Sequence, residues 1–277
     1  MQKSYDGTPI LYLVPTPIGN LDDITLRAIK ILKESVLILA EDTRITKKLL
    51  NYLQIKTKVI CSNKDNEFKN INFVLQTLKN GNNVALVTDR GTPLISDPGN
   101  IIVNEVIKNS FNVVCLPGAC ALIPGIVMSG LDTSKFLFYG FLNSKETYRK
   151  KELISLKDEK NTIIFYESPH RLDKTLKNIY EIFGNRKISL IREISKLYEE
   201  VIRDNLENII NNLENIKGEY LIVIEGNKTS KDYSDISIIE HYNNYLNLGY
   251  NKKEAIKKVA QDRKINKNEV YQIVIRG

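Results

Sequence analysis

Four short stretches carry residue types suited to chemistry. The first, Glu41-Asp42-Thr43-Arg44, sets two carboxylates beside a guanidinium. Glu41 and Asp42 could orient a substrate hydroxyl or accept its proton, and Arg44 could pair with a phosphate. The same residues also suit a helix start, with Asp42 or Thr43 as cap and Arg44 in a surface ion pair. Both readings stay open at this level. The second stretch is TDRGTPLISDPG, residues 88–99. Gly91 permits a backbone conformation that other residues resist, and Pro93 fixes a turn. Such a loop can approach a ligand closely and present backbone N–H groups to it. The third, Leu116-Pro117-Gly118, makes a second tight turn. One such turn has a purely structural explanation, whereas two at neighbouring strand ends point to a ligand cleft. The fourth is FYESPHR, residues 165–171, where His170 suits either a local hydrogen bond or a catalytic base.

The elements that must position these residues can be read from hydrophobic patterning. Apolar runs at 10–14, 36–40, 84–88 and 111–116 predict buried strands. Helices are predicted over about 24–35, 44–53, 67–80 and 100–108, the first capped by Asp22 or Asp23. Repeated strand–loop–helix order indicates an α/β fold with a largely parallel sheet, and a ligand beyond the carboxyl ends of its strands. After a helix-like stretch at 119–129, strands are predicted at 136–140, 162–166, 187–191 and 220–225, with helices over about 145–156, 170–183 and 205–213. No helix separates 187–191 from the extended run near 198–203, so this second unit should have more antiparallel character. The expected organisation is an N-terminal Rossmann-like domain at 1–117, a mixed α/β domain at 118–226, a linker at 227–235 and a small helical tail at 236–277. The tail's last two helices resemble a helix-turn-helix. Its lysines suit either RNA contact or a solvated face.

Composition narrows the function classes. The 277 residues are 42 % hydrophobic and 26 % charged, which is ordinary globular usage. The net charge of +7 fits a polyanionic partner, although an excess of Lys, Asn, Ile and Tyr can also reflect genome composition. Three cysteines and two histidines assemble neither a disulfide scaffold nor a strong transition-metal site, so no metal is expected. No apolar run approaches the roughly 20 residues of a membrane span, and MQKSYDGTPILYLVPTP does not read as a signal peptide. A cytoplasmic location is expected. PTPIGN after the first strand is not GxGxxG, and GxxxxGK[ST] and GxSxG are both absent. Ordinary NAD binding, P-loop ATPase and serine hydrolase chemistry are therefore disfavoured.

Taken in order, PTPIGNLDDITLRA, AEDTR, LVTDRGTPLISDPG, LPGACA, IIFYESPHR, REISKLYEE and KGEYLIVIEG cover about residues 10–226. Together they resemble the small-subunit ribosomal RNA cytidine-2′-O-methyltransferase branch, methyltransferase I type, of the tetrapyrrole-methylase superfamily. The resemblance implies two α/β domains holding S-adenosylmethionine in a cleft between them, usually in a homodimer. It implies methyl transfer to the ribose 2′-hydroxyl of cytidine 1402 of 16S rRNA. It places Asp89, Gly91, Thr92, Pro93, Pro117, Gly118, Phe165, Tyr166, Glu167, Gly218 and Glu219 near the cofactor. Glu41 and Asp42 become candidates for orienting the hydroxyl or accepting its proton, Asn20 for orienting the nucleotide and Arg44 for positioning phosphate. The chain departs from the family pattern at Arg90, a usual alanine, at Ile45, a common histidine, in SNKDNE at 62–67, which lacks a histidine, and at Cys120 after Gly118-Ala119. A histidine-based mechanism cannot use those positions. A tetrapyrrole methyltransferase and a non-enzymatic RNA-binding or assembly protein are the alternatives.

Overall fold

The computed structural model describes residues 2–214, 216–228, 233 and 235–276. Contacts divide the chain into two units, Met1–Gly226 and Asn227–Gly277. The first unit begins with a five-stranded sheet built from β1 (Ile10–Leu13), β2 (Leu37–Ala40), β3 (Lys58–Cys61), β4 (Val84–Val87) and β5 (Asn112–Cys115). Its order is β3-β2-β4-β1-β5 and every pairing is parallel. All four positions of β1, β2 and β4 are buried. A strand covered on both faces has no solvent side to fill with polar residues, which is why these three read as unbroken apolar runs. Alternation along the strands then divides the core in two. Tyr12, Ile38 and Ala85 pack with Ala28, Ile31 and Leu32 of α1 (Leu26–Glu34) and Leu50 of α2 (Thr43–Tyr52). Leu11, Leu37 and Val84 face Val74 and Leu78 of α3 (Glu67–Lys79) and Ile102 and Val106 of α4 (Asn100–Lys108).

Two local expectations are corrected. Helix α1 is capped by Thr25, whose hydroxyl accepts the Ala28 N–H at 3.0 Å. Asp22 and Asp23 instead lie in a 3-10 turn, Leu21–Asp23, whose Asp22 N–H bonds to the Asn20 side chain. A cap must stand in extended backbone directly before the first helical residue, and Thr25 holds that position. Strand β3 has no counterpart among the predicted strands, because it lies at a half-exposed edge and Lys58-Val59-Ile60-Cys61 makes no apolar run.

The second sheet follows within the same unit. Its strands are β6 (Phe136–Phe141), β7 (Thr162–Glu167), β8 (Lys187–Arg192), β9 (Glu200–Asn205) and β10 (Tyr220–Ile224), in the order β6-β7-β10-β8-β9. Only β6 and β7 pair in parallel. One face packs against α6 (Glu146–Leu156), α7 (Leu172–Phe183) and α8 (Leu206–Asn211) around Phe165 and Ile222. The other face carries α5 (Leu122–Met128), where Ile126 meets Ile164, Ile191 and Val223. Gly125 permits this approach, since a Cβ there would stand 2.1 Å from Leu221 Cδ2.

The second unit contains α9 (Ile238–Asn247), α10 (Lys252–Arg263) and α11 (Lys267–Arg276). Tyr242, Ala255, Val259 and Val270 give it a core of its own. Asn251 and Glu254 form a capping box at the start of α10, and Lys264 closes that helix in the left-handed region. Part of the linker expected at 227–235 lies outside the described residues. Among the described residues, no helix is long and apolar enough to cross a membrane.

Candidate active site

The carboxyl ends of β1, β2 and β4 converge on the loop at 88–99. Thr16, just after β1, exchanges two backbone hydrogen bonds with Gly91, each 2.9 Å. Gly91 has φ +84°, and a Cβ there would stand 3.2 Å from Ile18 Cγ2. Both the conformation and the contact favour glycine. The Thr92 hydroxyl donates to the Ala119 carbonyl at 3.0 Å, tying this loop to the Pro117-Gly118 turn. The loop is also strained, because Leu94 (φ +71°) and Ser96 (φ +69°) occupy the left-handed region that non-glycine residues avoid.

Beyond this loop lies a cavity of about 450 Å³ within the first unit. Its walls come from both sheets: Gly91 and Thr92 on one side, Tyr166, Glu167, Ile191 and Leu221 on the other. That volume falls within the roughly 300–1,000 Å³ typical of small-molecule sites. The lining is mainly apolar with a few polar groups, as in small-molecule sites generally. Ion pairs span its mouth. Arg90 pairs with Glu219, and Lys196 pairs with Glu219 at 3.0 Å and with Glu193 at 2.9 Å. Arg90 therefore reaches across to the β10 end. A smaller depression of about 270 Å³ adjoins, lined by Thr16, Ile45, Lys48, Tyr52, Asp89 and Arg90 among others. Arg90 lines both hollows.

Four carboxylates gather at the ends of β2 and β4. Asp42 caps α2 by accepting the Arg44 N–H at 2.8 Å, and it also takes the Arg44 guanidinium at 2.5–3.1 Å. The guanidinium and that N–H hold the Asp42 carboxyl down at about 2. The Asp42 N–H in turn donates to Asp89 Oδ1 at 2.9 Å. Burial raises Asp89 above the usual carboxylate range, against that hydrogen bond. Glu41 accepts from the Thr88 hydroxyl at 2.8 Å. Asp97 reaches the cavity from the strained loop, and burial pushes its carboxyl up to about 6, opposed by Thr88 and reinforced by Glu41 and Asp89.

Gly91, Thr92, Tyr166, Glu167 and Glu219 line the cavity, and Asp89 lines the depression beside it. The Glu167 carboxylate is already engaged by Arg171 at 2.7 Å, the Ser168 N–H at 2.7 Å and the Thr175 hydroxyl at 2.6 Å. Pro93 is buried beneath the loop, and Pro117 and Gly118 form the exposed turn that delivers Cys120 and Ala121 to the cavity wall. Phe165 is fully buried on the opposite face of β7, and Gly218 lies against Glu193. Asn20 caps the 3-10 turn, and Arg44 remains largely exposed while bound to Asp42. Burial raises the Tyr166 phenol, and Cys120 beside it adds to the shift. His170 stands exposed in the turn after β7. Asp97, Lys196, Ile191 and Ile194 also line the cavity, and none of them stands out in the sequence motifs. A charged residue inside an otherwise turn-forming loop was the available signal for Asp97. Among the described residues, no group of histidine, cysteine or acidic side chains is arranged to hold a metal.

Comparison with known proteins follows the same lines. A family model described as Tetrapyrrole (Corrin/Porphyrin) Methylases matches residues 10–210. The chain is 44 % identical to the ribosomal RNA small subunit methyltransferase I of Bacillus subtilis, covering 98 % of this chain and 96 % of that one. It is 43 % identical to the protein of that description from Halalkalibacterium halodurans, with 98 % of each covered. Among solved structures, uroporphyrin-III C-methyltransferase from Thermus thermophilus, complexed with S-adenosylhomocysteine, superposes with a TM-score of 0.56 at 18 % identity. That match covers 78 % of this chain and 96 % of the other, and it bears on the fold alone.

Proposed function

Because the chain belongs to the tetrapyrrole methylase family, in its ribosomal RNA small subunit methyltransferase I branch, we propose that it transfers a methyl group from S-adenosylmethionine to 16S rRNA. The acceptor is the ribose 2′-hydroxyl of cytidine 1402 in the small ribosomal subunit. Near-full-length identity above 40 % to two proteins of that description is the observation that carries this reading. In this reading residues 1–117 and 118–226 act as the two α/β domains, 236–277 as an RNA-contacting tail, and the active species is a cytoplasmic homodimer.

S-adenosylmethionine, when bound, supplies a methyl group already activated by its sulfonium. The protein's task is then to bind, orient and manage one proton. The cavity's apolar walls, Gly91 and Thr92 with Tyr166 and Leu221, hold the donor and exclude water. Asp89, Pro93, Pro117, Gly118, Phe165, Glu167 and Gly218 support that wall through packing, turns and hydrogen bonds rather than by direct charge. Glu219, tied to Arg90 and Lys196, borders its mouth. The adjoining depression receives the nucleotide, with Asn20 orienting it and Arg44 contacting phosphate. Of the two candidate proton acceptors, Asp42 is occupied by Arg44, so its part is to hold that guanidinium. Glu41 takes the proton as the new carbon–oxygen bond forms.

Offering the purified protein labelled donor together with small ribosomal subunits, free 16S rRNA and a tetrapyrrole tests this function. Label is expected in the RNA, with subunits the better substrate. Label in the tetrapyrrole alone would move the chain to the other activity of its superfamily. RNA binding without donor binding would make it an assembly protein.

A further inference from the structure

We propose that Asp97 is the counter-charge that the cavity presents to a cationic methyl donor. This rests on the reading of the cavity as the donor site, and it assigns a role that the sequence motifs left empty. Arg90 and Lys196 are balanced by Glu219 and Glu193, and Glu167 is satisfied by Arg171. Asp97 differs. Among the described residues, it has no cation within 4.0 Å. Its hydrogen-bonding neighbour is the Thr88 hydroxyl, which also donates to Glu41 Oε2 at 2.8 Å. One hydroxyl proton cannot serve two carboxylates at once.

The surroundings sharpen this imbalance. The groups that face Asp97 are Thr88, the like charges Glu41 and Asp89, the Tyr166 phenol and the more distant Lys64. Half-buried beside apolar side chains, an ionised carboxylate there is under-compensated. The backbone is committed to this placement, since Ser96, directly before Asp97, sits at φ +69° and Leu94 at φ +71°. Across the gap, Gly140 leaves room for Ser96, whose Oγ would stand 3.1 Å from a Cβ there. Backbone strain of this kind persists where the surrounding structure fixes a side chain in place. S-adenosylmethionine carries a sulfonium and an ammonium, and either would complete the missing pair.

A linkage follows. With its carboxyl pushed up to about 6, Asp97 is partly protonated near neutral pH when the cavity is empty of cation. A cation beside it favours the ionised form, so donor binding near or below that pH releases a proton. Affinity for the donor is then flat above the Asp97 value and falls as pH drops below it.

Calorimetric titration of the full-length protein with S-adenosylmethionine, from about pH 5.5 to about pH 7 in two buffers of different ionisation enthalpy, tests the linkage. The wild-type protein should bind more weakly toward the acid end and release close to half a proton near pH 6. Asp97→Asn should bind roughly tenfold more weakly at neutral pH, with a flat profile and no such proton release. Asp97→Glu should keep both the charge and the pH dependence. S-adenosylhomocysteine, which has lost the sulfonium but keeps the ammonium, separates the two cations. Loss of affinity for the donor alone places Asp97 beside the sulfonium, and equal loss for both places it beside the ammonium. Wild-type affinity with a wild-type pH profile in Asp97→Asn would overturn the inference while leaving the donor site intact. Failure of the wild-type protein to bind the donor would overturn both. Should Asp97→Asn not fold, the wild-type proton release decides, and its absence near pH 6 contradicts the proposal.

Discussion

Glu41 and Asp42 are neighbours in sequence with different electrostatic surroundings. The Asp42 carboxylate is committed to Arg44 and to the first turn of α2, and it holds its proton only near pH 2. A base so weak at neutral pH contributes little to proton transfer, whereas the Glu41 carboxylate accepts from the Thr88 hydroxyl at 2.8 Å and, among the described residues, pairs with no cation within 4.0 Å. Glu41→Gln should slow single-turnover methyl transfer by about 100-fold at saturating RNA. Asp42→Asn keeps the cap and should leave that rate within about threefold, while raising the RNA concentration needed. A large loss of single-turnover rate in Asp42→Asn, with none in Glu41→Gln, would reverse the assignment. At this scale the sequence was only partly legible. Its motifs identified Tyr166 together with Phe165, yet alternation along β7 sends just one of the two toward the cavity. Asp97 read as part of a turn, because Asp-Pro-Gly is ordinary turn chemistry, and its meaning arises only from the carboxylates that folding brings around it.

The loop between β4 and α4 is the element on which the cavity depends. It is pinned to the chain after β1 by the paired bonds of Thr16 and Gly91, and to the Pro117-Gly118 turn by Thr92. Gly91→Val would place a β-branched side chain at positive φ against Ile18. The expected result is a stability loss of about 1–3 kcal/mol in urea titration, with weakened donor binding in calorimetry. Unchanged donor affinity in the folded variant would remove the loop from the binding site. Elements of this kind were legible because buried parallel strands leave unbroken apolar runs and because Gly and Pro punctuate their ends. Edge strand β3 left no such run, and the start of α1 offered Asp22, Asp23 and Thr25 as competing caps that only backbone geometry separates.

At the scale of the whole molecule, the helical tail is a unit with a core and a capping box of its own. A chain ending at Gly226 should keep its donor affinity and lose rate mainly on ribosomal substrate. Lys252, Lys253, Lys257, Lys258, Lys264 and Lys267 give the full-length protein the steeper salt dependence. Equal rates and equal salt slopes for the two proteins would make the tail a structural appendage. If the donor cavity works with the adjoining depression as an RNA site, the position of the transferred methyl group will show it. Small ribosomal subunits should be treated with the purified protein and labelled S-adenosylmethionine, and the modified nucleotide mapped by nuclease digestion and mass spectrometry. A single 2′-O-methylcytidine at position 1402 of 16S rRNA is expected. Label on a base, or at a different nucleotide, would contradict it.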